Sequence, residues 1–151
     1  MADMPQIEVA LAGAADVEAV RSFYASVGYG GGLTAEDRVL ITRQGDTIVA
    51  AAKLSPEGKT LVLRGMYVSE PLRGLGIGSK LLERISAEIG SSGCWCIPYT
   101  RLERLYSWIG FGAVEPEAAP EFLAARRERY VSAGHEVMIM GRPEGWVSVS
   151  V

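Results

Sequence analysis

LRGMYVSEPLRGLGIGSKLLERI, residues 63–85, decides how this chain folds. It opens as a β-rich run ending at Val68, passes through the polar turn Ser69-Glu70-Pro71-Leu72, and enters a glycine-rich turn, Arg73-Gly74-Leu75-Gly76-Ile77-Gly78. That turn feeds directly into a helix predicted over Ser79 to Ile89, with Leu81, Leu82, Ile85 and Ile89 on one face and Lys80, Glu83, Arg84 and Glu88 largely on the other. A helix N-terminus presents unpaired N–H groups and the positive end of the macrodipole. Gly74, Gly76 and Gly78 carry no side chain to hold a pyrophosphate away, and Arg73 adds charge at the rim. Two other phosphate-binding patterns fit poorly. A nicotinamide-binding turn wants an acidic residue about 20 residues on, closing a second parallel strand, and Glu88 falls inside the helix instead. A P-loop ends in Gly-Lys-Ser/Thr, whereas Gly78-Ser79-Lys80 reverses that order. The alternative without a ligand is a plain helix-entry turn.

Upstream, Asp16 to Val27 places Val17, Val20, Phe23, Tyr24 and Val27 at helical spacing, with Asp16 as the expected N-cap and Gly28 just past the end. Tyr29-Gly30-Gly31-Gly32-Leu33-Thr34 reads as a flexible loop over a site, because consecutive glycines lose the most backbone entropy on ordering. Val39–Arg43, Thr47–Leu54 and Thr60–Val68 are β-rich runs separated by turn chemistry at Gln44-Gly45-Asp46 and Ser55-Pro56-Glu57-Gly58, which predicts an antiparallel meander. Downstream follow a short strand over Cys94–Ile97, a helix over Arg101–Ile109 stopped by Gly110-Phe111-Gly112, and a brief strand at Val114. A helix over Glu121–Ser132 with Pro120 at its first position and a last strand over Glu136–Met140 complete the chain. No repeat or linker divides the sequence, so 1–151 is expected to be one α+β domain.

Composition narrows the function. The 151 residues are 48% hydrophobic and 22% charged, a globular balance. A net charge of −3 gives no basic surplus for a nucleic-acid backbone or an anionic membrane. Met1 to Ala12 contains no Lys or Arg, so the charged head of a secretory signal is missing, and no apolar run reaches the span of a bilayer. The expected compartment is the cytoplasm, with neither nucleic acid nor membrane as partner. Cys94 and Cys96 are the two cysteines and His135 the single histidine, too few and too scattered for a metal site; reduced, core-packed thiols are expected.

Taken together, Met66-Tyr67-Val68, the acid-Pro pair Glu70-Pro71, the R-x-x-G-x-G signature from Arg73 to Gly78 and the later LERLYSWIGF resemble the GNAT superfamily of acyl-CoA-dependent N-acetyltransferases. The resemblance covers nearly the whole chain in element order. It implies a central, mostly antiparallel, splayed mixed sheet flanked by helices. It also implies acetyl-CoA as co-substrate, with Met66, Tyr67 and Val68 offering backbone groups to the pantetheine arm and the amides of Arg73, Gly74, Leu75, Gly76, Ile77, Gly78 and Ser79 cradling the pyrophosphate. Tyr106 stands where relatives carry the tyrosine that protonates the departing thiolate. A backbone N–H near Val68 is implied as oxyanion donor.

The chain also departs from the family pattern. Cys94-Trp95-Cys96-Ile97-Pro98 carries no carboxylate to serve as general base, which leaves that role to a water chain. Tyr99 stands where many relatives have an Asn that touches the coenzyme A arm; it either makes that contact by its hydroxyl, relays a proton, or is a rim aromatic. A covalent route through Cys94 or Cys96 lacks a histidine nearby in sequence. On the acceptor side, PEFLAARRERYVSAGHEV carries Arg126, Arg127 and Arg129 on a helix, either a lid that reads a substrate carboxylate or a solvated face balanced by Glu121 and Glu128. His135 reads as a strand-entry residue. The implied activity is N-acetyl transfer to a primary amine of a small molecule or amino acid by direct attack in a ternary complex. A protein or peptide N-acetyltransferase and a non-catalytic acyl-CoA sensor are the alternatives, and a homodimer is left open.

Overall fold

The computed structural model describes residues 6–147. It has an α+β fold, with seven strands and flanking helices among the described residues; apart from the first strand, they follow the order expected from the sequence. The described residues separate into two compact units, one comprising 6–56 and 63–88, the other 57–62 and 89–147.

In the first unit the strands lie in the order β1 (Ile7–Leu11), β2 (Arg38–Gln44), β3 (Thr47–Glu57) and β4 (Thr60–Val68). The predicted meander is therefore present, with an added edge strand, β1, that the sequence pattern does not predict. β1 runs antiparallel to β2 from Ile7 opposite Gln44 to Leu11 opposite Leu40. β2 runs antiparallel to β3 around the Gln44–Thr47 hairpin, with a register shift between Thr42 and Arg43. β3 continues to Glu57, through the expected turn at Ser55-Pro56, and reverses only at Gly58, whose φ of +65° a glycine adopts freely.

Helix α1 (Val17–Ser26) buries Val20, Phe23 and Tyr24 against Val39, Ile41 and Ala51, with Tyr29, Leu33 and Tyr67 packed around them. Each fully buried aliphatic or aromatic side chain there contributes roughly 1.5–3 kcal/mol relative to exposure. Asp16 occupies the N-cap position of α1 as expected, but its side chain makes no capping hydrogen bond to the helix. Its Oδ2 accepts the Gly13 N–H at 2.7 Å and its other oxygen pairs with Arg43, so it closes the 3₁₀ turn Ala14–Asp16 that precedes the helix. Helix α2 (Ile77–Ile89) begins two residues earlier than expected and buries Leu81, Leu82 and Ile85 completely.

In the second unit β5 (Cys94–Cys96), β7 (Met140–Arg142) and β6 (Gly112–Ala113) lie in the order β5-β7-β6, and both pairings are antiparallel. The last strand is thus displaced from the expected Glu136–Met140. Val137 makes only an isolated bridge to Tyr99, and the ladder starts at Met140 opposite Cys96. The expected helix over Arg101–Ile109 divides into a 3₁₀ turn, Thr100–Leu102, and a short α3 (Glu103–Ser107). Pro120 sits at the N-cap, not the first position, of α4 (Glu121–Ser132). Arg142 is buried, donates to the Gly90 carbonyl at 2.8 Å and lies 4.2 Å from the Trp146 ring centre.

Candidate active site

The glycine-rich turn joins a 3₁₀ turn, Glu70–Leu72, to α2. Gly74 and Gly76 take φ of +83° and +81°, the left-handed region that only glycine enters without strain, and a Cβ placed on either would meet open space. Their lack of side chains thus serves the backbone path and leaves the outer side of the turn clear. Gly78 is already helical; a Cβ there would touch Met66 Cε at 3.6 Å and Val68 Cγ2 at 3.8 Å, so the helix entry packs directly on β4. The first N–H groups of a helix have no acceptor within it, and no acidic side chain stands in the first turn of α2 to compete for them. Open glycines, first-turn amides and the exposed Arg73 fit a bound pyrophosphate. Arg73 also holds the turn in place, because its Nε donates to the Val68 carbonyl at 3.1 Å and so ties the turn to the end of β4. The Ser69 N–H donates to the Val49 carbonyl at 2.7 Å, which fixes the other side of that junction.

β4 bends at Gly65, with φ of +60° in mid-strand. Its carbonyl accepts the Tyr24 hydroxyl at 2.8 Å. Burial, reinforced by Tyr29, Asp37 and Tyr67, raises the Tyr24 phenol far above its ordinary range, so it stays protonated and keeps donating. Tyr29 packs between Tyr24 and Tyr67, with ring centres 4.7 and 5.5 Å away. Sequence reasoning misses this tyrosine cluster, together with the buried Lys53 and Asp37. The available signal is Lys53 itself, a charge set in the apolar run Ile48–Leu54 of β3.

In the second unit Tyr106 is buried on α3, its ring edge-on to Phe111 at 6.2 Å. The segment turns at Gly110, φ +96°, and the Trp146 indole fills the space where a Cβ would project. Tyr99 caps the 3₁₀ turn that leads into α3, is 39% exposed, and shares a 3.0 Å hydrogen bond with His135 Nδ1. His135 is therefore joined to a candidate site residue that lies 36 positions away, a link that spacing could not reveal. Cys94 and Cys96 are buried and not joined in a disulfide; burial first, and then Cys94, push the Cys96 thiol well above its ordinary range, which opposes a nucleophilic thiolate there.

On α4, Arg126 grips Glu57 with two nitrogens at 3.0 and 2.6 Å and lies over the Phe122 ring. Arg127 pairs with Glu128 at 3.0 Å, and Arg129 is exposed. Among the described residues no group of His, Cys, Asp or Glu could hold a metal ion, and no helix is long and apolar enough to cross a membrane.

Residues 35–113, more than half of the chain, match the family model for the acetyltransferase (GNAT) domain. The chain belongs to the GNAT acetyltransferase family. No curated protein matches it in sequence. Solved structures share its fold at low identity. Escherichia coli ElaA superposes with a TM-score of 0.67 at 18% identity, over 91% of this chain and 99% of that one. N-acetylglutamate synthase from Neisseria gonorrhoeae, solved with coenzyme A and N-acetyl-glutamate, gives 0.65 at 18% identity, over 97% of this chain and 37% of that one. The ribosomal-protein-S18-alanine N-acetyltransferase from Escherichia coli gives 0.63 at 14% identity, over 97% and 99%.

Proposed function

We propose that the chain, acting as a single domain over 1–151, transfers an acetyl group from acetyl-CoA to the primary amine of a small molecule or amino acid by direct attack in a ternary complex. The observation that carries this reading is the open turn, with Gly74 and Gly76 in the left-handed region ahead of the unencumbered first turn of α2. Acetyl-CoA supplies the thioester carbonyl and the leaving thiolate. The amides from Arg73 to Ser79 hold its pyrophosphate, and the backbone of Met66–Val68 lies along its arm. Tyr106 protonates the thiolate, its phenol serving as the general acid. Its ring is held by Phe111, which favours a fixed donor over a mobile one. Tyr99 contacts the arm or relays the amine's proton.

The acetylglutamate-bound neighbour favours a small acidic acceptor, and the S18 enzyme a peptide terminus. On the acidic reading Arg126, Arg127 and Arg129 would meet the substrate carboxylate. Arg126 already displays the required two-pronged chemistry, with Glu57 as its present partner. Thiol release from acetyl-CoA, measured against pooled amines, amino acids and peptides, tests the proposal. One pool should give release, and Tyr106→Phe should lower kcat by about 10²-fold with little change in KM. Tight binding of acetyl-CoA without release from any pool would instead identify a sensor.

A further inference from the structure

Lys53 is 2% exposed and stands in a strand otherwise lined by Ile48, Val49, Ala50, Ala51, Ala52 and Leu54. An ammonium this deep must be paired, because desolvating it alone costs several kcal/mol. Three of its partners come from one segment. The Asp37 carboxylate, 3% exposed, lies 3.6 Å away; the Gly32 carbonyl accepts at 2.5 Å; and the Tyr29 ring centre is 5.4 Å off. Asp37 in turn accepts the Thr34 N–H at 2.9 Å, and its own N–H donates to the Thr34 carbonyl at 3.2 Å. The glycine-rich segment Tyr29–Thr34, expected to be flexible, is thus held from within by a buried ion pair.

The hold extends to β4. Tyr29 N–H donates to the Tyr24 carbonyl at 2.9 Å, and its ring, set against Tyr24 and Tyr67, occupies the flank of Gly65. A Cβ on Gly65 would come within 2.9 Å of that ring and 3.0 Å of the Tyr24 hydroxyl. The bend in β4 and the position of Tyr29 therefore require each other. An apolar pair at positions 37 and 53 would fill the same volume at no loss of stability, but it could not grip the Gly32 carbonyl and the Thr34 amide at once.

We infer that the Lys53–Asp37 pair is a latch that fixes the Tyr29–Thr34 loop and, through the Tyr29 and Tyr24 rings, sets the backbone of Gly65–Val68. Lys53 and Asp37 are then positioning residues for the strand segment that lies along the acyl-CoA arm, a role that rests on the acetyltransferase reading above. Hydrogen exchange of the intact protein, compared with the apolar pair Lys53→Met with Asp37→Leu, which removes the latch without leaving a buried charge unpaired, tests the latch. Amides of 29–34 and 65–68 should exchange on the order of tenfold faster while those of 81–88 keep their rates, and the dissociation constant for acetyl-CoA should rise several-fold. Uniform acceleration across the chain, or a loosened loop with 65–68 unchanged, would overturn it. If that double variant does not fold, Tyr29→Leu keeps the ion pair and removes only the connecting ring. Faster exchange at 65–68 then supports the coupling, and unchanged exchange there defeats it. Should the wild type bind no acetyl-CoA, the acetyltransferase reading falls while the exchange data still decide the latch.

Discussion

Two glycine-rich segments of the first unit look alike in sequence and behave oppositely in structure. In the turn from Arg73 to Gly78, Gly74 and Gly76 have left-handed backbones and open space where side chains would stand. In the loop from Tyr29 to Thr34, a Cβ on Gly31 would collide with the Tyr29 ring, and the Gly32 carbonyl is bound by a buried ammonium. In the loop, Gly31 and the Gly32 carbonyl are met by the protein's own tyrosine and lysine; at the turn, Gly74 and Gly76 face space suited to an anionic ligand. Composition predicts mobility for the loop, and the packing shows instead that it is held.

The contrast can be broken most severely at the latch. Lys53→Ala leaves the Asp37 carboxylate buried without its counter-charge and should lower stability by roughly 3–5 kcal/mol, read from urea unfolding, while Lys53→Met with Asp37→Leu should recover much of the loss. The pair also gives the loop an acid sensitivity that the turn lacks. Burial alone would raise the Asp37 pKa, but the Thr34 N–H, the Ser55 hydroxyl and the Lys53 ammonium together bring it below its ordinary value. A carboxylate depressed in the folded state adds stability above its unfolded pKa and loses it as pH falls through the folded one. The gap between wild type and Asp37→Asn should therefore close below about pH 4.

A smaller effect is expected at the turn. Gly76→Val forces a β-branched residue to φ near +81°, which costs about 2 kcal/mol and should weaken acetyl-CoA binding by on the order of 30-fold by calorimetry. The unfolding midpoint should move much less than for Lys53→Ala, because the turn can abandon its shape without opening the core. The finest test lies within the loop. Gly31→Ala meets the Tyr29 ring and should cost about 1 kcal/mol, whereas Gly30→Ala, whose Cβ would touch nothing, should stay within about 0.5 kcal/mol. Equal costs at the two positions would mean that Tyr29 does not press on the loop.

Much of this is legible in the sequence because it is local. The period of Leu81, Leu82 and Ile85 gives α2, and the turn residues around Gly45 give the β2–β3 hairpin. Other features escape for identifiable reasons. β1 escapes because Ile7, Val9 and Leu11 form a short edge strand defined by pairing with β2, not by turn signals of its own. Sequence pattern sets the last strand too early because the apolar run Val137-Met138-Ile139-Met140 suits burial whether or not it pairs, and only the partner at Cys96 fixes where the ladder starts. Asp16 has the residue type and the position of a helix cap, while its side chain's long-range partner, Arg43, depends on where β2 passes.

By itself, then, the sequence determined the order of elements, the strand-turn-helix setting of Arg73–Gly78 and the family resemblance that follows, since each rests on residues within a few positions of one another. Only the tertiary structure decided that Lys53 meets Asp37, that Tyr99 meets His135 and that Arg126 is held by Glu57. These partners are separated by at least a hairpin of chain. Whether a charge or a phenol finds a partner across such a distance is set by sheet register and side-chain packing, which no local pattern encodes.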